Sequence, residues 1–298
     1  ALLITCSLKL TELLRFPNAV HAAAWMPWIL YGINLMFNNK IKKSFFIIFI
    51  SNFFILTAGY PYFIIYSLFL FIPYILILPF IFLHEKKFEI RSKDFLFFIY
   101  TFFPFMLSFL FALPWLLKVK YFLKNLIDRT ENNWEFATQH EFFLKDTVGS
   151  WVFPPASSTE GWYYNGIIVS IIIIIGFSLL IFDKKKINNL DRKLYIYSIV
   201  FFIFITYFSW GKNSLLFEWS WHNIPLIGSL RTWPRINIIL IPFIILLFAL
   251  SLKILINYLD NINKKKLKKL IYLSFSIFIF ILFIQSIFYS LDYQNDEY

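Results

Sequence analysis

The stretch PYFIIYSLFLFIPYILILPFIFL, residues 61–83, contains no charged side chain. The hydrocarbon core of a bilayer is about 30 Å thick, and a helix needs about 20 apolar residues to cross it. The same character extends over the whole chain of 298 residues, which is 59% hydrophobic and 15% charged and has a mean hydropathy of +0.68. Soluble domains carry about 25% charged residues. The composition therefore predicts an integral membrane protein.

Eight apolar runs approach the length needed to cross a membrane. The predicted fold class is all-α, a polytopic transmembrane helix bundle of about eight spans with short interfacial helices in loops on the outer face. The whole chain, 1–298, is predicted as a single membrane domain, and its start at Ala1 rather than Met predicts a fragment lacking an N-terminal part. The predicted spans are residues 21–37, 44–58, 61–83, 95–117, 166–182, 194–210, 235–258 and 270–290.

Basic residues are concentrated in connections that follow every second predicted span. These connections are residues 37–43, 84–94, 183–193 and 260–269. Because Lys and Arg are enriched in cytoplasmic loops, all four are predicted to lie in the cytoplasm. The long segments 118–165 and 211–234 then face the periplasm or exterior of a bacterial inner membrane. The net charge of +11 is explained by these loops, so the predicted partners include membrane lipids and no nucleic acid.

The outer segment 118–165 is long for a simple connection. A helix is predicted over 131–146, and the segment contains Glu135, His140 and Trp151. One interpretation is an interfacial helix, because Trp and Tyr favour the lipid headgroup level. The other is the wall of a substrate cleft, in which aromatic rings stack on a sugar and carboxylates bind its hydroxyls. The candidate cleft residues are Glu135, His140, Trp151 and His222.

The sequence contains no signature of a soluble enzyme and no metal-binding motif. There is a single cysteine, Cys6, and the four histidines are far apart, so no metal ligand and no cofactor is predicted. No catalytic residue is identified from the sequence.

The stretch IGSLRTWPRINI, residues 227–238, has two arginines at the start of a predicted span on the outer side. Pro234 is suited to the first turn of a helix, since its missing N–H needs no partner there. Guanidinium groups bind phosphate bidentately. Arg231 and Arg235 are therefore predicted to bind a lipid phosphate at headgroup depth. The alternative is that both reach ordinary lipid headgroups.

Three stretches together resemble the YfhO-like bacterial membrane proteins. They are AAAWMPWILYGI (22–33), LTAGYPYF (56–63) and IPLIGSLRTWPR (224–235). That family belongs to the polytopic glycosyltransferases of GT-C type. The resemblance implies an outer-face enzyme that transfers a sugar from a polyprenyl-phosphate-linked donor during cell-envelope glycan modification. The turn at 59–62 departs from the family pattern because it lacks the usual His and Gln.

The resemblance also implies where the catalytic acid of such an enzyme lies. In the group this acid is carried by the first outer loop, which is predicted to precede Ala1. A divalent metal is compatible with the group, but the residues of this chain do not demand one. Two alternative functions remain open at this point: a transporter or flippase of lipid-linked glycans, and an enzyme similar to O-antigen ligases.

Overall fold

The computed structural model describes most of the chain between residues 17 and 260. The described residues are 17–38, 40–82, 92–124, 134–138, 142–152, 165–182, 187–224, 227, 230, 233–260, 269, 272–274, 276–277, 280–281 and 284. They are helical and include no β-strand. The all-α prediction is confirmed.

The described part of the chain contains ten α-helices between residues 17 and 260. In chain order they are α1 Pro17–Phe37, α2 Ile41–Thr57, α3 Pro61–Phe82, α4 Ser92–Lys124, α5 Trp134–Ala137, α6 Leu144–Val152, α7 Ile167–Phe182, α8 Asn189–Phe208, α9 Leu215–Asn223 and α10 Ile241–Asp260. Short 3₁₀ helices cover Gly211–Asn213 and Trp233–Leu240, and the second leads directly into α10.

Three helices in the described part of the chain are long and apolar enough to cross a membrane. They contain Tyr62–Pro79, Phe98–Phe122 and Trp233–Leu259. These helices match the predicted spans 61–83, 95–117 and 235–258, whereas 166–182 forms a shorter apolar helix.

The predicted total of about eight spans is not confirmed. Residues 21–37, 44–58 and 194–210 are helical, but α2 has only 17 residues and α8 begins with a charged turn. Most of 270–290 lies outside the described residues.

The chain divides into two compact units. The N-terminal unit comprises Leu13–Ala137 and Ile224–Arg231, so it contains α1 to α5. The C-terminal unit comprises Ala1–Glu12, Thr138–Asn223 and Thr232–Tyr298, so it contains α6 to α10. The single membrane domain over 1–298 stays a prediction.

A glycine allows α1 and α2 to pack closely in the N-terminal unit. A Cβ added at Gly32 would lie 2.7 Å from Cγ1 of Ile48. The hydroxyl of Ser44 also donates a hydrogen bond of 2.6 Å to the carbonyl of Gly32. At the other end of α2, Gly59 has a φ of 80°, a left-handed conformation that few other residues adopt. This residue makes the tight turn into α3.

Side-chain hydrogen bonds connect the remaining helices of this unit. The amide of Asn34 donates to the hydroxyl of Tyr74 at 2.6 Å, which joins α1 to α3. The amide of Asn52 donates to the hydroxyl of Ser108 at 2.6 Å, which joins α2 to α4. Helix α4 otherwise lies at the surface of the unit, because only 17% of its span is buried. Such an exposed apolar helix is compatible with contact to lipid.

The C-terminal unit is built on the contact of α7 with α10. A Cβ added at Gly176 would lie 2.8 Å from Cα of Ser251, so the two backbones are as close as glycine allows. The hydroxyl of Tyr195 donates to the carbonyl of Ile173 at 2.7 Å and lies 2.9 Å from the hydroxyl of Ser251. Three helices, α7, α8 and α10, therefore meet at one buried phenol.

The predicted helix over 131–146 is wrong. Helix α5 ends at Ala137, and α6 begins only at Leu144. The carboxylate of Asp146 accepts a hydrogen bond of 2.9 Å from the backbone N–H of Phe143. A side chain that bonds back to the preceding backbone starts a new helix instead of continuing an old one. The predicted outer segments thus contain the short helices α5, α6 and α9, and their position at a membrane interface stays a prediction.

Candidate functional site

A cavity of about 560 Å³ lies within the C-terminal unit, between α6, α7, α8 and α10. We call this cavity the groove. Helix α7 contributes residues that recur every three to four positions and so share one face of the helix. These residues are Val169, Ser170, Ile173, Ile174 and Phe177.

The opposite wall of the groove is a stripe along α8. Its residues also recur at helical spacing, and they change from aliphatic to polar and aromatic toward the end of the helix. They are Ile199, Phe202, Ile203, Thr206 and Tyr207, and Trp210 follows just after the end of α8. Ile244 and Leu247 of α10, three residues of α6 and Asn165, just before α7, complete the lining. The groove is therefore apolar along most of its length and polar at one end.

The groove opens on the side of the helices. Ile174 of α7 and Ile203 of α8 are 63% and 61% exposed, whereas Val169 and Leu247 are buried. The exposed isoleucines form the rim, and the buried side chains form the floor. Since the rim is as apolar as the floor, the opening suits a ligand that arrives through lipid.

Hydrogen bonds fix the polar end of the groove. The indole N–H of Trp210 donates to the hydroxyl of Thr147 at 2.7 Å, which ties α6 to the end of α8. The ring of Tyr207 contacts the ring of Trp210 edge-on at 5.3 Å. The hydroxyl of Tyr207 accepts a hydrogen bond of 3.1 Å from the backbone N–H of Leu215. Both aromatic side chains are thus held in place by the C-terminal unit itself.

Thr206 lies beside this polar end and differs from its neighbours. The residue is 7% exposed, and its hydroxyl has no hydrogen-bond partner among the described residues. A buried hydroxyl without a partner costs about 1–3 kcal/mol. An unpaired polar atom on the wall of an otherwise apolar groove indicates a place where a ligand supplies the missing partner.

The 3₁₀ helix that carries Arg235 packs against the same end of α8. The rings of Phe201 and Phe243 lie 4.3 Å apart where α8 meets α10. Further along α8, the ring of Phe208 contacts the ring of Trp233 edge-on at 5.3 Å. Arg235 is half-buried two residues after Trp233 and is not among the residues that line the groove.

The structure places the predicted phosphate-binding residues as follows. Arg235 is the third residue of the 3₁₀ helix, and Pro234 directly before it is in the first turn, as predicted. Arg231 lies outside the described residues. The helix starts at Trp233 and is of the 3₁₀ type, which has three residues per turn. The role of both arginines stays a prediction.

Of the candidate cleft residues, Trp151 is the one that the described part of the chain places in the groove. Its ring contacts the ring of Phe202 edge-on at 4.3 Å. His222 is in α9 of the same unit, exposed, and its ring lies 4.8 Å from that of Trp221. Glu135 is exposed in α5 of the N-terminal unit. His140 lies outside the described residues.

Sequence reasoning missed the polar end of the groove. The signal was present as TYFSW at 206–210, the end of a predicted span, but an aromatic end is typical of any transmembrane helix. In the described ranges, no group of three or more His, Cys, Asp or Glu side chains is placed to hold a metal ion.

Comparison with protein-family models, with curated proteins and with solved structures finds no match to this chain. The resemblance to YfhO-like proteins therefore stays a prediction.

Proposed function

We propose that this chain is part of an outer-face membrane glycosyltransferase that takes a sugar from a polyprenyl-phosphate-linked donor and transfers it to a cell-envelope glycan. The observation that carries the proposal is the groove of the C-terminal unit, which is apolar, open to the side and polar at one end. A polyprenyl phosphate has the same division between a long apolar chain and an anionic head.

The size and lining of the groove suit the part of the polyprenyl chain that is nearest the phosphate. Its volume of about 560 Å³ falls within the ~300–1,000 Å³ typical of ligand pockets. A lipid chain gains little by leaving other lipid chains, because both surroundings are equally apolar. Affinity and selectivity must therefore come from the polar end, where Trp210 and Tyr207 are fixed by hydrogen bonds.

Arg235 supplies the charge that this chemistry needs. In the transfer, the bond between the sugar C1 and the phosphate oxygen breaks, and a bond between C1 and the acceptor oxygen forms. The bonding electrons stay on the carrier phosphate, and the acceptor proton goes to a carboxylate that the resemblance places in the first outer loop. A guanidinium beside the departing phosphate lowers the barrier by stabilising its growing charge. Arg235, and Arg231 by the prediction from sequence, take this role.

The test is binding of polyprenyl phosphate by the chain in lipid nanodiscs. If Arg235 grips the phosphate with its planar fork, Arg235→Lys and Arg235→Ala both weaken binding by about ten- to a hundredfold, since a charge-assisted hydrogen bond contributes about 1.5–3 kcal/mol. Arg192→Ala, a basic residue at the other end of α8, is the matched control and leaves binding unchanged.

The outcomes separate the proposal from its alternatives. Wild-type chain that binds no polyprenyl phosphate contradicts the proposal. Normal binding by Arg235→Lys would show that Arg235 contacts ordinary lipid headgroups and does not bind the carrier phosphate specifically. A fluorescent polyprenyl phosphate that the protein moves between leaflets, without any sugar transfer by the protein in its native membrane, favours the transporter alternative.

A further inference from the structure

We infer that Thr206, which lines the groove, is a ligand-binding residue: a rotation about its Cα–Cβ bond brings its buried hydroxyl to the groove, where it donates a hydrogen bond to the ester oxygen that joins the polyprenyl chain to its phosphate. This inference rests on the proposed function, because it takes a polyprenyl phosphate as the occupant. It adds a residue whose hydrogen bond fixes the position of the lipid along the groove.

The first observation is that the hydroxyl of Thr206 has no hydrogen-bond partner among the described residues, although a helix offers backbone carbonyls as acceptors. A serine or threonine in a helix commonly bonds to the carbonyl four residues earlier. Ser198 of the same helix does so, with its hydroxyl 2.7 Å from the carbonyl oxygen of Leu194. Thr206 forms no such bond within the described residues, although it too is buried.

The second observation is that neighbouring polar groups of the groove are already engaged. The indole of Trp210 donates to Thr147, and the hydroxyl of Tyr207 accepts from the backbone of Leu215. These groups shape the polar end. Thr206 therefore stands out among them as a buried donor that a ligand would satisfy.

The third observation is the position of Thr206 along α8. Ile203 and Ile199, one and two turns before it, are in the apolar part, and Trp210, one turn after it, is in the polar end. Thr206 thus lies at the boundary between the two parts. In a polyprenyl phosphate the ester oxygen occupies the same boundary, between the hydrocarbon and the charged oxygens. A lipid bound with its phosphate toward Trp210 places that oxygen beside Thr206.

The experiment compares two probes on three variants of the full chain in nanodiscs. The probes are polyprenyl phosphate and squalene, an isoprenoid hydrocarbon with no polar atom. Thr206→Val keeps the shape of the side chain and removes the hydroxyl, whereas Thr206→Ser keeps the hydroxyl. Ser198→Ala is the matched control, because it removes a buried hydroxyl of α8 that is bonded within the helix and does not line the groove.

Thr206→Val is expected to bind polyprenyl phosphate about tenfold more weakly, which corresponds to about 1.4 kcal/mol, and to bind squalene as the wild type does. Thr206→Ser and Ser198→Ala are expected to bind both probes normally. Without a ligand, Thr206→Val is expected to unfold at the same temperature as the wild type or a higher one, because the substitution removes an unpaired buried hydroxyl.

Three results would overturn the inference. The first is wild-type affinity of Thr206→Val for polyprenyl phosphate; if Arg235→Lys still weakens binding, the proposed function survives alone. The second is an equal loss of squalene binding, which would show that Thr206 acts by packing. The third is a lower unfolding temperature of the ligand-free variant, which would show that the hydroxyl supports the fold. Failure of the wild type to bind polyprenyl phosphate removes the proposed function and the inference together.

Discussion

The two units of the molecule treat buried polar groups differently. In the N-terminal unit the amides of Asn34 and Asn52 each find a hydroxyl on another helix at 2.6 Å. In the C-terminal unit Tyr195 makes a similar connection, but the hydroxyl of Thr206 has no partner in the described residues. Where polar groups pair with each other they hold helices together. The hydroxyl of Thr206 instead belongs to a residue that lines a groove.

The two units also use glycine differently. Gly32 lets α1 approach the side chain of Ile48, whose backbone N lies farther away, at 3.4 Å from the added Cβ. Gly176 lets α7 approach the backbone of Ser251, whose Cα would lie 2.8 Å from the added Cβ. The same residue type thus permits a side-chain contact in one unit and a backbone contact in the other. The predictions that follow test these differences.

The largest expected effect concerns the side of the membrane on which two exposed lysines lie. Lys40, between α1 and α2, is predicted to be cytoplasmic, and Lys212, after α8, is predicted to face outward. Both are exposed. With Cys6 replaced by Ser, Lys212→Cys is expected to react with a membrane-impermeant maleimide in intact cells, and Lys40→Cys only after permeabilisation. The reverse pattern would invert the predicted topology.

The next effect compares the two glycines. Alanine favours a helix over glycine by about 1 kcal/mol, so a substitution without steric conflict stabilises. At Gly176 the new Cβ meets the Cα of Ser251 at 2.8 Å, and the helices must separate. Gly176→Ala is expected to lower the free energy of unfolding by about 3 kcal/mol.

At Gly32 the nearest atom is Cγ1 of Ile48 at 2.7 Å and the nearest backbone atom is 3.4 Å away, so the two helix backbones need to move less than at Gly176. Gly32→Ala is expected to cost about 1 kcal/mol or less. Thermal unfolding in detergent, followed by the reactivity of a buried cysteine probe, measures both. Equal losses at the two glycines would remove the distinction between a backbone and a side-chain contact.

How much of this could be predicted from sequence depends on what each feature requires. The run at 61–83 predicted α3, Pro61–Phe82, because length and hydrophobicity alone decide a spanning helix. The predicted helix over 131–146 was wrong, because a single carboxylate at Asp146 starts a new helix and its effect depends on local geometry.

The groove could not be predicted, since α8 is apolar on every side over 199–205 and shows no distinct face in its sequence. Its walls come from four helices whose packing only the fold supplies. Arg235 was predicted as a phosphate-binding residue because a charge at the start of an apolar run can be read directly from the sequence. Thr206 was missed because a threonine inside a span becomes informative only when its hydrogen-bond partner is sought.

A third prediction is that ligand binding depends on the groove of the C-terminal unit and not on the exposed surface of the N-terminal unit. Ile203 is on the rim and 61% exposed, so a tryptophan there is expected to fold normally and to fill the mouth of the groove. Ile203→Trp is expected to weaken binding of polyprenyl phosphate by about tenfold, or about 1.4 kcal/mol. Leu110→Trp, on the exposed surface of α4 at 57% exposure, is the control and is expected to have no effect. Equal weakening by both would indicate a general change in lipid contact.

The smallest effects come from the hydrogen bonds that join helices within each unit. In membranes such bonds contribute about 0.6 kcal/mol on average and at most about 1.7 kcal/mol. Ser44→Ala removes one bond to the carbonyl of Gly32, and is expected to cost about 0.5 kcal/mol. Tyr195→Phe removes the bond to Ile173 and the contact with Ser251 at once, and is expected to cost about 1 kcal/mol.

A double-mutant cycle shows whether the larger cost comes from the meeting of three helices. Tyr195→Phe takes away the phenol that lies 2.9 Å from the hydroxyl of Ser251, and Ser251→Ala takes away that hydroxyl as well. If the two groups stabilise each other, the double variant loses less than the sum of the single losses, by about 0.5 kcal/mol or more. Unfolding free energies of the four proteins in the same detergent give this coupling directly. Additive losses would mean that Tyr195 acts through the carbonyl of Ile173 alone, and that α10 is held to α8 by packing and not by this hydrogen bond.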